Sequence, residues 1–239
     1  MKGGGGLQDI CIFKRVEKKY PIDESKKDML LSLIKDRLVA DSHGKSTICS
    51  LYLDTPDRQL IRASIDARAY KEKLRIRSYG VPQKDTMVFL EIKKKYKGVV
   101  YKRRVKMPLS TAEEYISNGT PPFDSQIMRE IDYAMKFYRH PKPSMLIAYE
   151  REAFFSKEDE GLRITFDKNI RFRDNEKDMT VGAEGTRIIE DGRYILEIKT
   201  NGGMPLWLAE ALDKCKIYPS SFSKYGISHL MTLKKPIPR

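Results

Sequence analysis

Hydrophobic and polar positions alternate with a period of two through several stretches of the chain. This is the pattern of strands that turn one face to a core and the other to something polar. In residues 71–79, Lys73, Arg75, Arg77 and Tyr79 fall on one face and Leu74, Ile76 and Ser78 on the other. In 87–95, Glu91, Lys93 and Lys95 oppose Val88, Leu90 and Ile92, and in 99–107, Lys102, Arg104 and Lys106 oppose Val105 and Met107. Tyr96-Lys97-Gly98 between these two runs predicts a hairpin turn. Further strands are predicted over 10–20, 46–54, 144–155, 161–173 and 194–200, with a short one near 187–189, for about eight in all. Helical periodicity predicts helices over 23–38, 110–117, 124–138, 205–215 and 221–233, several opening on Ser or Asp as caps.

Strand after strand therefore carries a cationic face backed by an aliphatic one. On a single strand such a face is ordinary solvated surface. Repeated on many strands, the cations repel one another and persist only where a polyanion offsets the repulsion. Closing such a sheet gives an α+β fold: a closed antiparallel β-barrel of about eight strands with flanking helices, whose bore suits one slender, strongly anionic ligand. No internal repeat or linker divides the sequence, so residues 7–239 are expected to form one domain after a glycine-rich, disordered tail at 1–6.

Composition sharpens this picture. The chain has 239 residues, and 46 Lys+Arg against 33 Asp+Glu leave a formal charge of +13, which calls for a polyanionic partner. Nucleic acid is disfavoured, because the cationic faces have aliphatic backs and few interleaved aromatics on which bases could stack. The three cysteines, Cys11, Cys49 and Cys215, form no CxxC pair and read as free thiols in a reducing, cytoplasmic setting. His43, His140 and His229 are scattered, so any metal must rest on carboxylates. No apolar run is long enough to cross a membrane, and a soluble chain without membrane insertion is expected.

An ordered set of short motifs resembles the VTC domain of the triphosphate tunnel metalloenzyme superfamily. The motifs include Arg15-Val16-Glu17-Lys18-Lys19-Tyr20, Ser50-Leu51-Tyr52-Leu53-Asp54, Lys73-Leu74-Arg75-Ile76-Arg77 and Leu90-Glu91-Ile92-Lys93. Tyr101-Lys102-Arg103-Arg104, Tyr149-Glu150-Arg151-Glu152, Leu162-Arg163-Ile164-Thr165-Phe166-Asp167, Leu196-Glu197-Ile198-Lys199 and Phe222-Ser223-Lys224-Tyr225 continue the series. The resemblance implies a tunnel that polymerises inorganic polyphosphate, passing the terminal phosphate of ATP to a growing chain with Mn2+ or Mg2+ as cofactor. It implies catalytic phosphate contacts from Lys19, Arg75, Arg77, Lys93, Lys102, Arg151 and Lys224. Further substrate contacts would come from Arg15, Arg104, Tyr149, Arg163, Lys199 and Ser223, with Glu197 on the metal. A separate membrane partner that takes the product is left open. Strand parity agrees with several of these roles: Arg75 with Arg77, Lys102 with Arg104, Tyr149 with Arg151 and Glu197 with Lys199 each share a side.

Phosphoryl transfer asks for these residue types, since it needs neutralised oxygens and an in-line donor and acceptor more than a protein nucleophile. Arg grips phosphate bidentately and Lys acts as a point charge. One departure stands out: the superfamily's hydrolytic and cyclase branch opens with Glu-x-Glu-x-Lys, and the first of those positions is Arg15 here. The substitution makes a second metal site less expected, although Glu17 and Glu91 remain as further acidic ligands. Three readings stay open: a polymerase, a triphosphate hydrolase on the same scaffold, and a binding module that holds polyphosphate without making it. Glu197 could equally pair with Lys199, Lys224 could be an ordinary helix start capped by Ser221, and Arg171 and Arg173 are left unassigned. Trp207, with Leu206, Leu208, Ala211 and Leu212, reads as the buried stripe of a helix.

Overall fold

The computed structural model describes residues 16–66, 68–97 and 99–234, apart from the side chains of Ser42 and His43. Arg15 and Cys11, both considered above, lie outside the described residues, as does the predicted tail.

Among the described residues, nine strands form one antiparallel sheet. They are β1 (Val16–Asp23), β2 (Leu38–Asp54), β3 (Tyr70–Tyr79), β4 (Met87–Tyr96), β5 (Val99–Pro108), β6 (Lys142–Ser156), β7 (Arg163–Arg173), β8 (Thr186–Arg187) and β9 (Arg193–Thr200). Their order is β1-β9-β7-β6-β2-β3-β4-β5, with β8 beside β7. The α-helices of the described residues are α1 (Glu24–Ile34), α2 (Gln59–Ile65), α3 (Leu109–Asn118), α4 (Gln126–Phe137), α5 (Leu206–Lys214) and α6 (Lys224–Leu233).

The predicted closed barrel is corrected here: the sheet is open, with β1 at one edge and β5 at the other. It is nevertheless strongly curled, because Glu17 on β1 reaches Lys93 on β4, the strand next to the far edge, at 3.5 Å. A ladder would need the two backbones about 4.8 Å apart. Long charged side chains stand in that gap instead, and the two sides of the sheet meet through them. The result is a trough, roofed in part by the segment before α6: Ser220 N–H donates to the Lys19 carbonyl at 2.8 Å, and Lys19 Nζ donates to the Phe222 carbonyl at 2.9 Å.

Alternation explains which face is which. Along β3, Glu72, Leu74, Ile76 and Ser78 are buried while Lys71, Lys73, Arg75 and Arg77 keep partial exposure. Leu74 and Ile76 join Val88, Leu90, Val105 and the buried faces of α3 and α4 in a core on the convex side. A second convex core gathers Tyr20 and Ile22 of β1, Ile164 and Phe166 of β7, and Leu196 and Ile198 of β9, under α1 and α5. Trp207 is only partly buried against this core, and Leu206 is exposed, so the predicted stripe on α5 reduces to Leu208, Ala211 and Leu212.

A third core lies on the concave side. There Tyr52, Met145, Ile147, Ile170, Phe172 and Ile195 pack on α6 through Tyr225 and on α2 through Ile61. The central strand β6 is consequently apolar on both faces from Met145 to Tyr149. Thus one part of the trough is filled with hydrocarbon and the rest is left to charge.

Local chemistry sets the helix starts. The Asp23 carboxylate accepts from Lys26 N–H at 2.9 Å, and the hydroxyls of Ser125 and Ser223 accept from Met128 and Gly226 N–H, each at 3.1 Å. Helix α6 therefore begins at Lys224 with Ser223 as its cap, and the predicted cap Ser221 lies outside it. Helix α3 ends at Gly119, whose φ of 76° favours glycine and whose amide closes on the Tyr115 carbonyl. Helix α2 has no counterpart in the sequence reading. Its first amides, those of Leu60 and Ile61, are bound by the buried Asp54 carboxylate at 2.9 and 3.1 Å, and that carboxylate also accepts from Tyr225 Oη at 2.8 Å. One acid thereby ties α2 and α6 to the end of β2.

Candidate functional site

The charged part of the trough is organised around buried carboxylates, each surrounded by more cations than it can neutralise. The first group centres on Glu91 of β4, which is 1% exposed. Antiparallel pairing places Arg75 directly opposite it on β3 and Arg104 opposite it on β5. Arg75 approaches with Nε at 2.8 Å and Nη2 at 2.7 Å, Lys102 with Nζ at 2.6 Å, and Arg77 with Nε at 4.0 Å. Arg75 Nη1 also donates to Tyr52 Oη at 3.1 Å, and Arg77 Nε to Ser50 Oγ at 3.3 Å.

The second group centres on Asp167 of β7, which is fully buried. Arg151 holds it bidentately at 2.6 and 2.8 Å, and Lys224 Nζ lies 2.5 Å from Oδ2. Glu197 of β9 stands beside it, with Lys199 Nζ at 2.9 Å and Arg151 Nη2 at 3.4 Å. Tyr149 joins the two groups. Its ring lies under Lys224 Nζ at 4.4 Å and Arg151 at 5.2 Å, while its hydroxyl accepts from Arg77 Nη2 at 3.5 Å.

A third set spans the gap between the two sides of the sheet. Glu17 lies 3.5 Å from both Lys19 and Lys93, and Lys73 Nζ donates to Ser223 Oγ at 3.4 Å. The four cations that the sequence alone joins in one argument, Arg75, Arg77, Lys102 and Arg151, do converge on one trough.

Titration behaviour reflects the excess of cations. Burial opposes ionisation of Glu91, yet Arg75, Arg77 and Lys102 hold it ionised with a pKa of about 2. Asp167 and Glu197 are likewise kept below the usual carboxylate range against the cost of burial, by Lys224 and Arg151 for Asp167 and by Lys199 and Arg151 for Glu197. The cations bear the opposite stress. Desolvation pushes Lys102 down to about 7 despite Glu91 beside it, with Arg75 and Arg77 adding to the shift. Desolvation also pushes Lys73 down to about 8, helped by Lys93 and Lys19. Tyr52 is lowered to about 8, because Arg75, Lys73 and Arg77 outweigh its burial. Clustered charge that depresses its own lysines favours any anion that enters.

Not every residue proposed from sequence joins these groups. Arg163 pairs with Asp41 at 2.6 Å and covers the ring of Phe155. Arg104 stacks on Phe89 at 4.4 Å instead of pairing with a carboxylate. Sequence reasoning misses Asp167, Tyr52, Ser50 and Lys73 as members of the site. All four lie within the quoted motifs, and Lys73 shares the parity of Arg75 and Arg77. For Asp167 the available signal is its spacing of two and four from Thr165 and Arg163 on one strand.

An open antiparallel sheet curled into a cation-lined trough, with helices on its convex side and α2 and α6 filling part of its concavity, defines a triphosphate tunnel type of fold. The VTC domain family model matches residues 13–232, and the chain belongs to that family. Solved structures with the same fold include a candidate adenylate cyclase from Vibrio parahaemolyticus, 14% identical, with a TM-score of 0.52 over 91% of this chain and 98% of that one. Another, from Bacillus halodurans, is 13% identical with a TM-score of 0.55 over 87% of this chain and 93% of that one. No curated protein matches the chain.

Proposed function

We propose that the chain is a polyphosphate polymerase: it transfers the terminal phosphoryl group of ATP to the end of an inorganic polyphosphate chain held in the trough. In this reaction the bond between the β,γ-bridging oxygen and the γ-phosphorus breaks. A bond forms from the terminal oxygen of the chain to that phosphorus, and ADP leaves. The observation that carries the reading is the meeting of the Glu91 and Asp167 cation groups at Tyr149, on a fold whose family is the VTC domain.

The residues have distinct parts in this scheme. Arg75, Arg77 and Lys102 neutralise one end of the triphosphate, and Arg151, Lys224, Lys199 and Lys19 receive the phosphoryl group being transferred. Lys93 and Lys73 extend the cationic track for the acceptor chain, and Ser223 with the first amides of α6 adds neutral donors. Because the guanidinium groups are fixed by buried carboxylates before substrate arrives, little reorganisation is needed as charge shifts toward the leaving oxygen.

A divalent cation fits this site only in company with substrate. Among the described residues no three carboxylate, histidine or cysteine side chains gather as a ready-made cage, and both oxygens of Glu197 are engaged by Lys199 and Arg151. Phosphate oxygens that took over the neutralisation of Lys199 and Arg151 would leave Glu197 as the residue to hold Mn2+ or Mg2+. The ion would supply further charge neutralisation at the transferred group.

The test is incubation of the purified chain with ATP and Mn2+, followed by gel detection of polyphosphate. A polymerase yields chains and ADP, a hydrolase on the same scaffold yields free phosphate and ADP, and a binding module yields neither. Arg77→Ala and Glu197→Gln should make no chains. Equal product from the wild type and both variants would remove the site assignment.

A further inference from the structure

The cationic face of β3 and β4 changes character at one end. Inward from that end the tunnel-side residues are Arg77, Arg75 and Lys73 on β3 and Glu91 and Lys93 on β4, all charged. At the end itself they are Tyr79 and Phe89, both aromatic. Phe89 lies opposite Arg77 in the β3–β4 register and opposite Lys106 in the β4–β5 register. The Tyr79 and Phe89 rings meet edge to face with centroids 6.1 Å apart. The Arg104 guanidinium lies on the Phe89 ring at 4.4 Å, and Tyr79 is 42% exposed. A half-buried aromatic corner, topped by a guanidinium plane and open to solvent, therefore adjoins Arg77, the first phosphate-gripping arginine inward from this end.

An inorganic phosphate chain has no use for such a corner. A nucleobase does, since base stacking on an aromatic ring or an arginine plane is the general way proteins hold bases without reading their edges. The spacing suits a nucleotide. Phe89 is two residues from Glu91, a rise of about 7 Å along a strand, which leaves room for a ribose between a base on Phe89 and a phosphate beside Arg75, the residue opposite Glu91.

We infer that Phe89, Tyr79 and Arg104 form a nucleoside subsite, in which the base of the donor nucleotide stacks while its phosphates run inward past Arg77 toward Tyr149 and the Arg151–Lys224 group. The inference rests on the triphosphate-binding reading above and assigns the direction in which the donor lies. Stacking contacts are tolerant of base identity, so the subsite distinguishes nucleotide from inorganic phosphate more than one purine from another.

The test compares two ligands by titration calorimetry on the full chain: a non-hydrolysable ATP analogue with a β,γ-imido bridge, and inorganic tripolyphosphate. Phe89→Ala is expected to weaken the analogue about tenfold while leaving tripolyphosphate within about twofold. Phe89→Tyr, which keeps the ring, should bind both ligands as the wild type does, and Tyr79→Ala should weaken the analogue alone. Equal losses for both ligands, or no loss for the analogue in either alanine variant, would overturn the subsite while leaving the phosphate trough intact. A wild-type chain that binds neither ligand would overturn both readings.

Discussion

Arg77 and Tyr149 lie on strands separated by the whole width of β2, yet the Arg77 guanidinium donates to the Tyr149 hydroxyl at 3.5 Å. That contact is the seam between the Glu91 and Asp167 groups, since the Tyr149 ring also lies beneath Lys224 and Arg151. Tyr149→Phe keeps the ring and its cation contacts and removes only the hydroxyl. A hydrogen bond to a charged group at this long distance is worth about 1 kcal/mol. The variant should therefore lose a small part of its stability, of that order, and, with Arg77 no longer tied to the Asp167 group, bind tripolyphosphate a few-fold more weakly, as read by calorimetry of unfolding and of binding. Wild-type affinity would show that the two groups act independently.

Glu91 makes a different kind of prediction, because its carboxylate matters most before a phosphate chain is bound. Without it, Arg75, Arg77 and Lys102 face one another unneutralised, and breaking a buried ion pair on one side costs about 3 kcal/mol. Glu91→Gln should lower the melting temperature of the ligand-free chain. Added tripolyphosphate supplies the missing negative charge, so its stabilising effect should be larger in the variant than in the wild type. A thermal-shift series in tripolyphosphate measures both. A variant as unstable with ligand as without would mean that Glu91 supports the fold and not the phosphate contacts.

How much of this is legible in the sequence differs from residue to residue. The two-residue period is enough to put Arg75 and Arg77 on one face and Leu74 and Ile76 on the other, because that period is local geometry. Family motifs point to Glu197, Arg151 and Lys224. The pairing of Arg151 with Asp167 is not visible, since it depends on the β6–β7 register, which contains an irregularity between Ala148 and Glu150. Closure of the sheet is overestimated for a related reason: strand parity says which side a lysine takes but not whether two edge backbones approach closely enough to bond. Helix α2 escapes the sequence reading because Asp54, at the end of β2, binds its first amides, whereas its own cap position, Arg58, has a left-handed φ of 60° and no capping side chain. Parity places Arg104 and Arg163 on their strands, but their partners, Phe89 and Asp41, lie beyond its reach.

Lys102 predicts a pH dependence. Desolvation, with Arg75 and Arg77 nearby, lowers its pKa to about 7 against the attraction of Glu91, so the free chain loses this positive charge as pH rises through about 7. A bound polyanion favours the protonated form, and binding near pH 7.5 should take up protons. Titrations in buffers of different ionisation enthalpy would read that uptake directly. Tripolyphosphate affinity should also fall between about pH 6.5 and 8.5 relative to Lys102→Arg, whose guanidinium stays charged throughout. Parallel pH profiles for the two proteins would remove Lys102 from the phosphate path.

Glu197 separates binding of phosphate from use of a metal. In the structure it is an ionised carboxylate between Lys199 and Arg151, and without a divalent ion it repels an incoming phosphate chain. Glu197→Gln removes that repulsion and releases both cations, so metal-free tripolyphosphate should bind more tightly to the variant, by a few-fold. If Glu197 also holds the ion, then Mn2+ should strengthen tripolyphosphate binding to the wild type and leave the variant unchanged, because neutral amide oxygen is a poor substitute for carboxylate toward a hard cation. Titrations with and without Mn2+ on both proteins give the four affinities needed. Should Mn2+ enhance binding equally in the two, the ion is held elsewhere; Glu17, loosely placed 3.5 Å from Lys19 and Lys93 on the same face of the β1–β9 pair, is then the acid to replace next.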